Sequence, residues 1–162
     1  MTLVPINSAQ NVILAKWACE VLGDDLETFG FDRYGEPLFN TVGFEVGDEL
    51  ACVVVAYHYA KPNVTMAFAS KNPRWATKGN IASLGEWVFE ELGCNRVTAF
   101  VQKSNKRARK FDEGIGFKYE GKLRKATYKG DVIVYGLTKE DHQEWLRKAF
   151  NGRKRIDNSR GS

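Results

Sequence analysis

The run Leu50 to Tyr59, LACVVVAYHY, narrows the fold more than any other stretch of this chain. It is apolar and β-branched, and it is far shorter than the roughly 20 residues a membrane helix needs. Turn signals bound it on both sides: Gly47-Asp48 before and Lys61-Pro62-Asn63 after. Leu38 to Val46 on one flank and Val64 to Ser70 on the other read as strands too. The three form an antiparallel meander.

Helical periods surround the meander. Thr2 to Ile6 reads as a short first strand. Ser8 then reads as an N-cap for an amphipathic helix that ends at Gly23. Asp24 to Gly35 is a polar connection with a short helical turn. After Ser70 a polar loop, Lys71 to Lys78, leads into a helix reaching Leu92, with Ile81, Leu84, Val88 and Leu92 on one face. Arg96 to Gln102 reads as a strand buried on two faces, Ser104 to Glu113 as a short helix, and Gly116 to Thr127 and Asp131 to Leu137 as strands turning at Lys129-Gly130. Asp141 to Phe150 closes the pattern as a helix. The expected architecture is α/β (α+β): a mixed, mainly antiparallel sheet of about seven strands with helices on both faces. One domain is expected over residues 1–150, with a flexible basic tail over 151–162.

Composition excludes several classes. The N-terminal Met1 to Gln10 lacks the basic segment and apolar core of a signal peptide, so a cytoplasmic protein without a membrane span is expected. Cys19, Cys52 and Cys94 are far apart in apolar settings and match no metal spacing; they read as small buried hydrophobes. His58 reads as a hydrogen-bonded core residue of its strand and His142 as a surface residue of the last helix. Trp17, Trp87 and Trp145 read as packing residues. The net charge of +4 is unevenly spread. Lys103 to Lys129 holds ten basic residues against three acidic ones, and a second basic cluster lies at the C-terminus. Solvated faces are the usual origin of such runs; an anionic ligand or partner is the other.

The loop Lys71-Asn72-Pro73-Arg74-Trp75-Ala76-Thr77-Lys78-Gly79-Asn80 precedes a helix. Free backbone amides and the dipole at a helix N-terminus suit a pyrophosphate. Gly79 serves that role or simply relieves packing, and Arg74 and Lys78 serve it or are surface charges.

Further on, Asn105 opens the short helix, Gly116-Phe117 opens the next strand, and Glu120-Gly121-x-Leu123-Arg124 follows. With the loop and the element order, these residues resemble the GNAT superfamily of acyl-CoA-dependent N-acetyltransferases, and within it the RimJ/RimL-like branch that acetylates ribosomal proteins. The resemblance spans nearly the whole chain. The family's phosphate loop, Gln/Arg-x-x-Gly-x-Gly/Ala, appears here as Arg74-x-x-Thr77-x-Gly79, with Thr77 in place of one glycine.

The resemblance implies acetyl-CoA as cosubstrate, no metal, and a primary amine as acceptor: a protein N-terminus, a lysine or a small-molecule amine. It places coenzyme binding at Phe68, Ala69 and Ser70, through the loop from Arg74 and Trp75 to Ala76, Thr77, Lys78, Gly79 and Asn80, and at Asn105, Arg107 and Phe111. Trp75 is expected under the coenzyme or along the acceptor site, and Lys106, Arg107 and Arg109 facing the coenzyme. The oxyanion donor is an amide near Phe68 to Ser70. The family's usual acids and base fall on Phe111, Ala108 and Thr127 here, so Asn105 and Tyr128 become the catalytic candidates, with Glu45, Glu49 and Glu120 as possible bases. The alternative is a catalytically weak or inactive protein on the same scaffold that recognises an anionic partner, nucleic acid or ribosome, through its basic segments. Either reading allows a monomer or a homodimer.

Overall fold

The computed structural model describes the backbone of residues 1–160 and the side chains of residues 1–151. Among the described residues are seven strands and four α-helices. They group into two units, Met1–Asn80 and Ile81–Ser162.

The first unit contains β1 (Thr2–Leu3), α1 (Ser8–Leu22), β2 (Asn40–Val46), β3 (Glu49–Ala60) and β4 (Asn63–Ser70), with the start of α2 (Lys78–Glu86). Its strands run β1-β2-β3-β4, each antiparallel to the next. β3 is the central strand that its composition demands: Ala51 to Ala56 are buried without a break. Val53 and Val55 meet Ala15, Ala18 and Cys19 of α1, with Phe29 and Phe39 filling the same cluster. β1 is shorter than expected because Pro5 cannot donate to a ladder. The cap of α1 is Asn7, not Ser8: the Asn7 carboxamide accepts the Gln10 amide at 2.9 Å, while the Ser8 hydroxyl donates to Glu36. Asn7 has the extended backbone a cap requires and Ser8 is already helical. Gly23 ends the helix at φ 72°.

His58 does not lie in the core. The β3–β4 register shifts between Tyr57 and Ala60, and the one extra residue turns His58 outward at φ 49° with its ring against Tyr57. A bulge of this kind reverses the side that strand alternation assigns.

The second unit contains the rest of α2, β5 (Arg96–Gln102), α3 (Lys106–Gly114), β6 (Lys118–Thr127), β7 (Gly130–Thr138) and α4 (Lys139–Arg160). Its strand order is β5-β7-β6, again antiparallel. The helix expected to reach Leu92 widens after Glu86 into a π-helical turn over Trp87–Glu91, closed by the Leu92 amide on the Trp87 carbonyl at 2.9 Å. The widening lets Trp87, Val88 and Phe89 all bury in succession. Gly116, at φ 106°, turns the chain out of α3, and a Cβ there would lie 3.4 Å from Leu137 and Trp145.

His142 is not on the surface. It is 5% exposed, stacked against Trp145 and tilted against Phe89. Its ring fills the notch that Gly85 leaves in α2: a Cβ on Gly85 would lie 1.8 Å from His142 Nε2. The flexible tail expected over 151–162 falls almost wholly on positions whose side chains, and at 161 and 162 the backbone too, lie outside the described residues.

Candidate functional site

In the first unit the loop after β4 is shaped by its own polar side chains. The amides of Lys71 and Asn72 donate to the Ala51 carbonyl. The Asn72 carboxamide accepts the Arg74 amide at 3.0 Å and starts a single 3-10 turn, Pro73–Trp75. The Ala76 amide closes on Pro73 and that of Thr77 on Trp75. Asn80 ties the far side by donating Nδ2 to the Trp75 carbonyl at 2.6 Å. Thr77 then caps α2, its hydroxyl oxygen accepting the Asn80 amide at 3.1 Å. Thr77, which replaces a glycine of the resembled motif, therefore spends its own amide inside the loop and works as an N-cap.

Most loop amides are thus consumed. The Gly79 amide, in the first turn of α2, carries no intramolecular bond among the described residues. A Cβ on Gly79 would meet nothing nearer than Thr77 Oγ1 at 3.9 Å, so the approach to that amide is open. Arg74 in the loop and Lys78 at the start of α2 are exposed. This is the chemistry of an anion site: an open donor, a helix dipole and two cations.

Trp75 faces inward beneath the loop. It is buried, stacked on Phe68 and tilted on Phe44 at 4.9 Å. It anchors the loop from beneath. Ala76 is half-buried beside it. On β4, Lys71 bonds to β3, and alternation along an antiparallel ladder gives the Ala69 amide the same direction. The Phe68 and Ser70 amides therefore point away from β3, and these two positions fit an oxyanion donor better than Ala69.

In the second unit Asn105 caps α3, its carboxamide oxygen accepting the Ala108 amide at 3.1 Å. That leaves its exposed Nδ2 as the group able to meet a ligand. Lys106 and Arg107 point outward, and Phe111 and Ala108 are half-buried. Arg109 is engaged within the protein: its guanidinium donates to the Tyr135 hydroxyl at 3.2 Å and to the Lys103 carbonyl, bracing α3 against β7.

The candidate bases sit apart from one another. Glu120 is clasped by Arg96, whose guanidinium holds its carboxyl below the usual range and makes it a poor base. Glu49 is exposed at the β2–β3 hairpin and Glu45 is half-buried in β2. Thr127 pairs with the Gln102 carboxamide at 2.9 Å. Tyr128 stands fully exposed in the β6–β7 turn.

Sequence reasoning missed Asp112. Its side chain is 3% exposed in α3, and burial, with Glu113 adding repulsion, pushes its pKa up to about 7. The signal was present: Ala108, Phe111, Asp112 and Ile115 share one helical stripe, and only the carboxyl breaks its apolar character. Cys19, Cys52 and Cys94 are all buried, and burial raises the Cys52 thiol far above its ordinary range. No helix among the described residues is long and apolar enough to cross a membrane.

No protein-family model matches the chain, and no curated protein matches it. Solved structures do. A chimera of the Vibrio cholerae spermidine N-acetyltransferase SpeG and hSSAT matches with TM-score 0.63 at 13% identity, over 88% of this chain and 99% of that one. A mutant form of the Vibrio cholerae spermidine/spermine N-acetyltransferase SpeG matches with TM-score 0.62 at 12% identity, over 89% and 98%. A GNAT-family acetyltransferase from Bacillus anthracis matches with TM-score 0.50 at 22% identity, over 62% and 66%. The chain has the fold of the GNAT acetyltransferases: mixed α/β, with seven mostly antiparallel strands and four helices among the described residues.

Proposed function

We propose that this chain is an acetyl-CoA-dependent N-acetyltransferase acting on a primary amine, of the RimJ/RimL-like kind. The observation that carries the reading is the loop: on a fold shared with acetyltransferases, it presents the open Gly79 amide at the start of α2, with Arg74 and Lys78 exposed in the same segment. Asn105, Gly116-Phe117 and Glu120-Gly121-x-Leu123-Arg124 support the branch.

In this reading Gly79, Asn80 and the Arg74 and Lys78 side chains hold the pyrophosphate. Arg107 meets a coenzyme phosphate and Asn105 Nδ2 meets the pantetheine. The acceptor nitrogen attacks the thioester carbonyl, and an amide of the Phe68–Ser70 run stabilises the oxyanion. The C–N bond forms, the C–S bond breaks, and the coenzyme leaves as its thiolate. A free thiol has a pKa of about 8.5, so the thiolate is a fair leaving group near neutral pH. The amine, whose ammonium pKa is about 10.4 for a lysine, enters deprotonated or gives its proton to water ordered by the protein. Tyr128 is the phenol offered for returning a proton to the thiolate.

Titration calorimetry with acetyl-CoA tests the reading. Gly79→Val keeps the amide but fills the open approach, and Arg74→Ala removes one cation; each is expected to weaken binding about tenfold, or about 1.4 kcal/mol. Absence of binding by the unaltered protein at high micromolar acetyl-CoA overturns it.

A further inference from the structure

β6 is the outermost strand of β5-β7-β6, and nine of its ten residues are exposed, Gly121 being half-buried. Lys118, Lys122, Arg124 and Lys125 lie along it, and Lys129 follows in the turn to β7. The carboxylates nearest in sequence are engaged. Glu120 is bound by Arg96. Asp131 accepts the Lys125 amide through Oδ1, and its Oδ2 lies 3.9 Å from Lys122 Nζ. Glu113 accepts from the Tyr135 hydroxyl, and Asp112 is buried. Lys118, Arg124, Lys125 and Lys129 are left without a carboxylate partner among the described residues.

Apolar and aromatic surface accompanies these charges. Tyr119 is 54% exposed, Leu123 45%, and Phe100 of the neighbouring sheet face 50%. Register places Phe100, Val134 and Gly121 in one row across the three strands, with Leu123 and Val132 in the next row on the same face; Tyr119 pairs with Tyr135 and lies on the other face, against its ring.

Two ordinary explanations fall short. Lysines on an edge strand discourage strand addition, but this edge is already broken. Its register shifts between Tyr119 and Gly121 and again between Leu123 and Thr127, and Lys125 sits at φ 53°. Five cations exceed what guarding such an edge needs. The same breaks disfavour an added peptide strand, which requires a regular row of backbone groups. They do not affect a ligand held through its phosphates and flat faces.

We propose that the β6 edge and the β6–β7 turn bind single-stranded nucleic acid. Phosphates lie against Lys118, Lys122, Arg124, Lys125 and Lys129, and bases stack on Tyr119. The proposal does not rest on the acetyl-transfer reading, although the same turn carries Tyr128.

The test is fluorescence anisotropy of the full chain with a labelled oligouridylate of about 15 nucleotides. Binding is expected to weaken about 100-fold between about 50 and 200 mM salt, the dependence of roughly five neutralised phosphates on a single strand. The triple variant Lys118→Glu/Lys125→Glu/Lys129→Glu is expected to lose at least about tenfold in affinity and to keep its acetyl-CoA calorimetry unchanged. Tyr119→Ala is expected to lose about fivefold with its salt slope intact, as removal of one stacking platform requires. No binding at low salt overturns the proposal, and so does unchanged binding by the triple variant. Equal affinity for polyglutamate with no effect of Tyr119→Ala also overturns it, in favour of an acidic protein partner.

Discussion

Asn11 of α1 and His142 of α4 are both buried polar side chains, and the chain treats them in opposite ways. Asn11 donates Nδ2 to the Phe39 carbonyl at 2.8 Å and accepts the Thr41 hydroxyl at 2.7 Å. It replaces the water it lost with two protein partners. His142 Nε2 is buried with no hydrogen-bond partner among the described residues. It is held by shape: the Gly85 notch on one side, Phe89 and Trp145 rings on others. In the first unit a helix is registered by hydrogen bonds; in the second, a helix is registered by a missing side chain. The first kind of contact tolerates small shifts but not loss of a partner. The second tolerates loss of the histidine far better than the addition of a methyl group opposite it.

The sharpest way to break that contrast is to fill the notch. Gly85→Ala in a helix interior ordinarily gains about 1 kcal/mol of propensity. Here the new Cβ would overlap His142 Nε2 and lie 2.4 Å from Cε1, so α4 must shift. A net loss of about 3 kcal/mol by urea denaturation is expected. The double variant Gly85→Ala/His142→Ala is expected to recover most of it. Recovery of none would show that the clash is with something other than the imidazole.

Removing the partners on the other side gives the next largest effect. Asn11→Leu keeps approximate volume but strands the Phe39 carbonyl and the Thr41 hydroxyl. About 2 kcal/mol of destabilisation is expected, mostly from those two groups. Pairing Asn11→Leu with Thr41→Val should cost less than the two single changes added together, because each removes the other's orphan.

How these two residues read in the sequence explains where sequence reasoning succeeds. β5 is legible to its ends, Arg96–Gln102, because alternation and turn signals agree, but not in its burial: Phe100 is half exposed where burial on two faces is expected. The loop Lys71 to Asn80 is legible as a loop before a helix. Its internal bonding is not, because Asn72, Thr77 and Asn80 each act on a backbone group whose place depends on the fold. His142 is illegible for a stronger reason: its burial is decided by Gly85, far away in the chain, and local polarity points the other way. His58 fails through a bulge, which shifts alternation without altering composition.

Acid adds a smaller, signed test. Burial lowers the His142 pKa, so the folded state disfavours its proton and the unfolded state binds more. The stability of the neutral form is fully present above the unfolded value of about 6.5 and is lost as pH falls below it. Asp112 runs the other way. Its folded pKa of about 7 exceeds the unfolded 3.8, so stability falls as pH rises between those values. His142→Phe is therefore expected to leave a profile that declines with pH from about 4 to 7, and Asp112→Asn one that rises. Paired melts from pH 4 to 8 separate them. A profile unmoved by both changes would show that neither group titrates on unfolding.

The smallest effect is expected at a residue that is among the most informative in the sequence. Glu120 belongs to the Glu-Gly-x-Leu-Arg run that carries the resemblance, yet its Arg96 ion pair is about a third exposed on each side, 32% and 35%. Solvent and salt screen such a pair, so Glu120→Gln is expected to change stability by less than about 1 kcal/mol. The side chain also covers Gly136, where a Cβ would overlap its carboxylate. Gly136→Ala is accordingly expected to cost more than Glu120→Gln, because it displaces the whole side chain where the other only neutralises it. If Glu120→Gln proves the more damaging, the carboxylate acts beyond its pairing with Arg96. Acetyl-transfer rates for the two variants would then show whether that action is on the reaction.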